Sequence, residues 1–125
     1  MSRTKTVVVT LVTLVGLVLT YEAGAVVLAE LDEGGIPPAS AVPALPQGVT
    51  ITGDGMGCGS GGCWRELNLS GPPGQSPADL AASVAPAGQT CTGRNWITAR
   101  RVCSSVTVSG DEVRLDLSYV RPLGL

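Results

Sequence analysis

The residues in this chain whose types could do chemistry are four cysteines, Cys58, Cys63, Cys91 and Cys103, because there is no histidine at all. Without an imidazole there is no Ser-His or Cys-His pair to activate a nucleophile and no His-ligated metal. The cysteine spacings are C-x4-C and C-x11-C. A four-cysteine zinc site is built from C-x-x-C knuckles, and a thioredoxin-like pair is a C-x-x-C at a helix N-terminus, so neither spacing suits those chemistries. An even set of cysteines in an exported domain is instead a disulfide framework. Sequence alone allows three pairings. The favoured one joins Cys58 to Cys63 and Cys91 to Cys103, and its rival links the first two to the last two by longer bridges. A thiol-redox activity using Cys58 and Cys63 stands as an alternative.

The first two cysteines close a glycine-rich run, TGDGMGCGSGGCWREL (52–67), with glycine at 53, 55, 57, 59, 61 and 62. A phosphate-cradling loop would lead into a helix and, in its Walker form, carry a lysine. This run leads into WRELNLS, whose apolar residues alternate as in a strand. Gly59-Ser60-Gly61-Gly62 is therefore expected to be a hairpin turn that sets Cys58 opposite Cys63, with glycine supplying positive dihedrals. The alternate glycines from 53 onward leave one side of the stretch bare, suited either to close backbone packing or to a flap.

Acid-base chemistry would have to draw on Asp54, Glu66, Asp79, Asp111, Glu112 and Asp116. Asp79 falls at a helix cap, Asp111 and Glu112 in a turn, and Glu66 and Asp116 on polar strand faces where Arg65 or Arg114 could partner them. No enzyme is expected, and no cofactor or metal is called for. Binding character is concentrated in GRNWITARR (93–101). Arg94, Trp96, Arg100 and Arg101 there are of types enriched at interface hot spots, and arginine suits carboxylate or phosphate groups. Trp64 is a further candidate contact. The competing reading makes Trp96 a plug in a small core, with the arginines solvated.

The elements that must position these residues lie in the span 48–125. GVTIT (48–52) and CWRELNLSG (63–71) alternate as half-buried strands, the second placing Cys63, Leu67 and Leu69 on one face. Ser76 is suited to cap a short helix over 77–85, with Pro77 at its first position and Asp79 reaching back. Leu80 and Val84 form its stripe, and Pro86 and Gly88 end it. VCSSVTV and VRLDLSYV form a hairpin across SGDE (109–112). Pairing Val108 with Val113 sets Val106 against Leu115, Ser104 against Leu117 and Val102 against Tyr119, so the apolar residues share a face and Cys103 either points to the other or sits where the strand begins to bend. A further short strand is expected near Trp96. The fold class is α+β, with one short helix packed on an antiparallel sheet. The aromatics of this span are Trp64, Trp96 and Tyr119, with no phenylalanine, so so small a core needs the disulfides as staples.

The N-terminus points to export. Arg3 and Lys5 precede the uncharged run VVVTLVTLVGLVLTY (7–21), and the apolar character resumes after Glu22 as AGAVVLA. Residues 1–29 thus form a cytoplasmic stub and a membrane anchor, with 6–29 long enough to cross a bilayer core that needs roughly 20 residues. Cleavage as a signal peptide at Ala23-Gly24-Ala25 or Val27-Leu28-Ala29 would instead make the protein a secreted one. Glu22 weighs against the anchor, although Tyr21 beside it suits an interface. Either way Arg3 and Lys5 keep the N-terminus in the cytoplasm and send the rest outward. No cysteine lies where a lipid could be attached at the end of the apolar run.

Residues 30–47, ELDEGGIPPASAVPALPQ, have four prolines and no period, which is expected of an extracytoplasmic spacer. Net charge is −2, and within 48–125 six arginines balance six carboxylates. Nucleic acid is therefore not an expected partner. The expectation is a single-pass protein with a non-catalytic interaction or accessory domain, meeting an unidentified envelope protein or anionic ligand. Abundant Arg, Gly, Ala and Pro with a single lysine suggest a GC-rich bacterial genome, and with export the expected location is a bacterial envelope.

Overall fold

The computed structural model describes residues 2–31, 35–93, 97 and 99–120. The apolar N-terminus is one unbroken helix, α1 (Arg3–Leu31). Three of its threonines turn their hydroxyls back onto the preceding turn: Thr10, Thr13 and Thr20 donate to the carbonyls of Thr6, Val9 and Gly16 at 2.8 to 2.9 Å. Its aliphatic side chains are displayed all round, with Val12 67% and Leu19 65% exposed. The helix is long and apolar enough to cross a membrane, and a signal sequence would share those properties.

Beyond it the described residues form an α+β unit of five strands and one α-helix: β1 (Thr50–Gly59), β2 (Gly62–Ser70), α2 (Pro77–Val84), β3 (Thr90–Cys91), β4 (Arg101–Ser109) and β5 (Glu112–Val120). They form one antiparallel sheet in the order β1-β2-β5-β4-β3. The β4-β5 register is the one that the apolar alternation demands, with Val108 opposite Val113, Val106 opposite Leu115 and Val102 opposite Tyr119. Both hairpins are tighter than the sequence suggests. Strands extend to Gly59 and Gly62 in one and to Ser109 and Glu112 in the other, leaving two-residue turns. Gly110, at φ 61°, supplies left-handed backbone within the second turn, and in the first hairpin the positive φ, 114°, falls on Gly62 just after the turn.

One face of the sheet holds the core. Leu67 and Leu69 of β2 and Val113, Leu115 and Leu117 of β5 are buried there with Leu80 of α2, and Ala81 and Val84 flank them. The helix starts where its cap predicts: the Ser76 hydroxyl accepts from the Asp79 amide at 3.1 Å and donates to its carboxylate at 2.7 Å. The Pro-rich segment does not simply hang free as a spacer. Val42, Leu45 and Val49 pack against the core, and Pro37 is fully buried. Arg65 clips the segment down. Its Nε donates to the Pro37 carbonyl at 2.8 Å while its guanidinium pairs with Asp54 of β1 at 2.6 Å.

The disulfides join Cys58 to Cys63 and Cys91 to Cys103, each across an antiparallel pair. By the chain-entropy model, loops of this length contribute about 2 and about 3 kcal/mol. The short strand expected near Trp96 falls on residues that lie outside the described ones, and the third strand that is described lies earlier in the chain. It is the two-residue β3, too short to show a period and set against β4 where Cys91 meets Cys103.

The glycine run is neither loop nor flap. It is the edge strand β1, and its bare side serves close packing: Gly57 lies opposite Trp64, whose indole covers Gly57 and Gly59. A Cβ at Gly57 would meet the Trp64 ring at 2.6 Å and also the Glu66 carboxylate, whereas one at Gly55 would meet open space. Gly57→Ala should therefore cost about 1–3 kcal/mol in urea unfolding of the full chain, and Gly55→Ala should stay within about 0.5 kcal/mol of wild type. Equal effects would contradict this packing.

Candidate functional site

Because side chains alternate across a strand, the face turned away from α2 collects the polar half of β2, β4 and β5. The register sets Glu66, Asp116 and Ser105 in one row and Asn68, Arg114 and Thr107 in the next. Trp64 precedes Glu66 on this face, and Ser118 pairs with Cys103 beyond it. A concavity of about 230 Å3 opens here, lined by Trp64, Ser105, Arg114, Asp116 and Ser118.

The charges in it are linked. The Trp64 indole N–H donates to Glu66 Oε1 at 2.8 Å, which holds the ring over the bare strand edge. Arg114 lies between two carboxylates, 3.7 Å from Glu66 and 3.1 Å from Asp116. The closer contact is an ion pair without hydrogen-bond alignment, since Arg114 Nε and Asp116 Oδ1 are both buried and make no directed bond. The Thr107 hydroxyl donates to the other Asp116 oxygen at 3.4 Å. Burial pushes the Asp116 carboxyl above its ordinary value and Glu66 adds to this, while Arg114 and Thr107 only partly offset it. A ring edge, a guanidinium, carboxylates and two serine hydroxyls in one shallow dish can bind a polar group by hydrogen bonds.

Sequence reasoning named Trp64 for this face and expected Glu66 and Asp116 to partner arginines. Arg114 meets both, but Arg65 does not. Arg65 lies on the core side with Asp54, a partner that becomes visible only once β1 is paired to β2. Neither Arg114 nor Asp116 was singled out as a binding residue. Their signal was the alternation of RLDLS against the leucines.

The other predicted contacts are dispersed. Arg94 and Trp96 lie outside the described residues. Arg100 is half-buried, its guanidinium 4.8 Å from the centre of the Tyr119 ring, so it also serves to close the end of the sheet. Arg101 is exposed at the start of β4, its Nε donating to the Thr92 carbonyl at 3.2 Å. Of the cysteines, Cys58 is exposed while Cys103 is buried, and none is free. Among the described residues no group of His, Cys, Asp and Glu side chains could hold a metal ion.

The raised Asp116 pKa fixes the sign of a pH effect. The folded state holds this proton at higher pH than the unfolded chain does, so it binds more protons in the window between the two values, and stability falls as pH rises through the raised pKa. Thermal unfolding of wild type and Asp116→Asn from neutral pH down toward the ordinary carboxylate range should show the wild type gaining on the variant as pH falls. Parallel profiles would contradict the assignment.

No protein-family model, curated protein or solved structure matches this chain.

Proposed function

We propose that the protein is a single-pass envelope protein, N-terminus in the cytoplasm, whose outward domain is a non-catalytic interaction module using its polar sheet face. The observation that carries this reading is α1: from Val7 to Leu19 its aliphatic surface is exposed on every side, an arrangement costly in water and favourable in lipid. Arg3 and Lys5 at one end of the helix support the orientation by the positive-inside rule. Two disulfides in the rest of the chain support an oxidising compartment outside the cytoplasm. The scarcity of lysine supports a bacterial source of high genomic GC content.

A non-catalytic role is favoured by the way the polar groups are used. The Trp64, Glu66, Arg114 and Asp116 cluster is tied up in mutual contacts at a shallow surface, and the chain has no histidine to act as a base. The Cys58 to Cys63 bridge spans a strand pair, away from any helix N-terminus that would activate a thiolate. The polar face, bounded by Trp64 and the exposed Arg101, offers hydrogen bonds and charge to an envelope protein or an anionic ligand.

The test is made in bacterial membranes. Alkaline carbonate should leave the full-length chain in the pellet, and a photo-crosslinking residue at Ser105 should trap a partner while one at Asp79, in the first turn of α2, does not. Release of a shortened chain into the soluble fraction would overturn the anchor in favour of a secreted domain. Absence of any adduct at Ser105 would overturn the polar face as the contact surface.

A further inference from the structure

The domain is tied to α1 at one definite level. The Tyr21 hydroxyl donates to the backbone carbonyl of Ile97 at 2.9 Å. The described residues that follow it are held in place. Ala99 is buried with φ 55°, a backbone conformation rare outside glycine, and the next residue, Arg100, rests on Tyr119. Yet the Ile97 side chain is 71% exposed. Beside it a cavity of about 500 Å3 opens, walled by Gly24, Ala25, Leu28 and Ile97, with Thr20 and Arg100 among its polar lining.

If α1 is the anchor of the preceding section, this level can be placed in the bilayer. Tyr21 follows Lys5 by sixteen residues in one continuous helix, about 24 Å at about 1.5 Å per residue. The hydrocarbon core is about 30 Å thick. With Lys5 at the inner boundary, Tyr21 stands close to the outer boundary, where tyrosine is favoured, and tilting of the helix would only bring it deeper. Whatever Tyr21 touches shares its depth.

We infer that Ile97 is a second membrane contact: its side chain enters the outer leaflet at the boundary between headgroups and acyl chains, and lipid fills the apolar cleft between Ile97 and α1. Burial of an isolated aliphatic side chain at the lipid boundary follows the same rule that seats interfacial helices. The domain then lies against the membrane in one orientation instead of swinging on its linker, which leaves the polar face in a set direction.

The inference rests on the anchored reading, and site-directed spin labelling can separate the two. All four native cysteines are paired, so a single added cysteine is the only free thiol in each variant. The full chain is reconstituted in phosphatidylcholine and phosphatidylglycerol vesicles and labelled at Ile97→Cys, at Val12→Cys in mid-helix, or at Asp111→Cys in the distant β4-β5 turn. Access of oxygen, which concentrates in hydrocarbon, is compared with access of a water-soluble nickel chelate. The expected result is a high oxygen-to-nickel ratio at Val12, a ratio at Ile97 several-fold above that at Asp111, and an aqueous value at Asp111. An Ile97 label as aqueous as Asp111, with Val12 deep, overturns the second contact and leaves the anchor intact. An aqueous Val12 overturns both.

Discussion

A single apolar layer holds together the domain that follows α1. Leu67, Leu69, Val113, Leu115 and Leu117 present one face of two neighbouring strands to Leu80 of a helix of eight residues. Burying a leucine or valine contributes about 1.5–3 kcal/mol each, a modest total when every ordered residue loses backbone and side-chain entropy. With no phenylalanine and so short a helix, the layer reaches only the middle of the sheet. Everything at the margins must be fastened by other means.

Those fastenings account for the less regular parts of the structure. Arg65 binds the Pro37 carbonyl and the Asp54 carboxylate, drawing the Pro-rich segment over one flank of the core. The disulfides secure both edges of the sheet, one in the β1-β2 hairpin and one between β3 and β4. The side chain of Trp64 lies on the bare glycine edge and is oriented by Glu66. Through Glu66 that same ring is joined to Arg114 and Asp116, so the packing of the edge strand and the shape of the polar face are one system. A change that lifts Trp64 should disturb both.

How much of this was legible depended on the range of the interaction. The β4-β5 register could be read because its valines and leucines alternate with a period of two and a slip would expose them. The cap at Ser76 could be read because it acts over three residues. The docking of Val42 and Leu45 could not, since no local pattern marks a loop that meets a sheet through tertiary contact. The role of the glycines lay between these cases. Their spacing showed a bare side, but only the pairing of Gly57 with Trp64 reveals what covers it. For the polar face, the alternation placed Glu66 and Asp116 outward, while their grouping around Arg114 required strand order that sequence does not display.

The two halves of the chain make compatible demands on their surroundings. The helix exposes aliphatic surface that suits lipid, and the domain carries disulfides that suit an oxidising space. A protein tethered at an outer membrane surface satisfies both at once. The direct measurement is the intact mass of native chain taken from a membrane fraction and alkylated under denaturing conditions without reductant. A tethered, doubly stapled protein predicts the full-length mass with no alkyl group added. A chain cut after Ala25 or Ala29, or one bearing alkylated thiols, would contradict it.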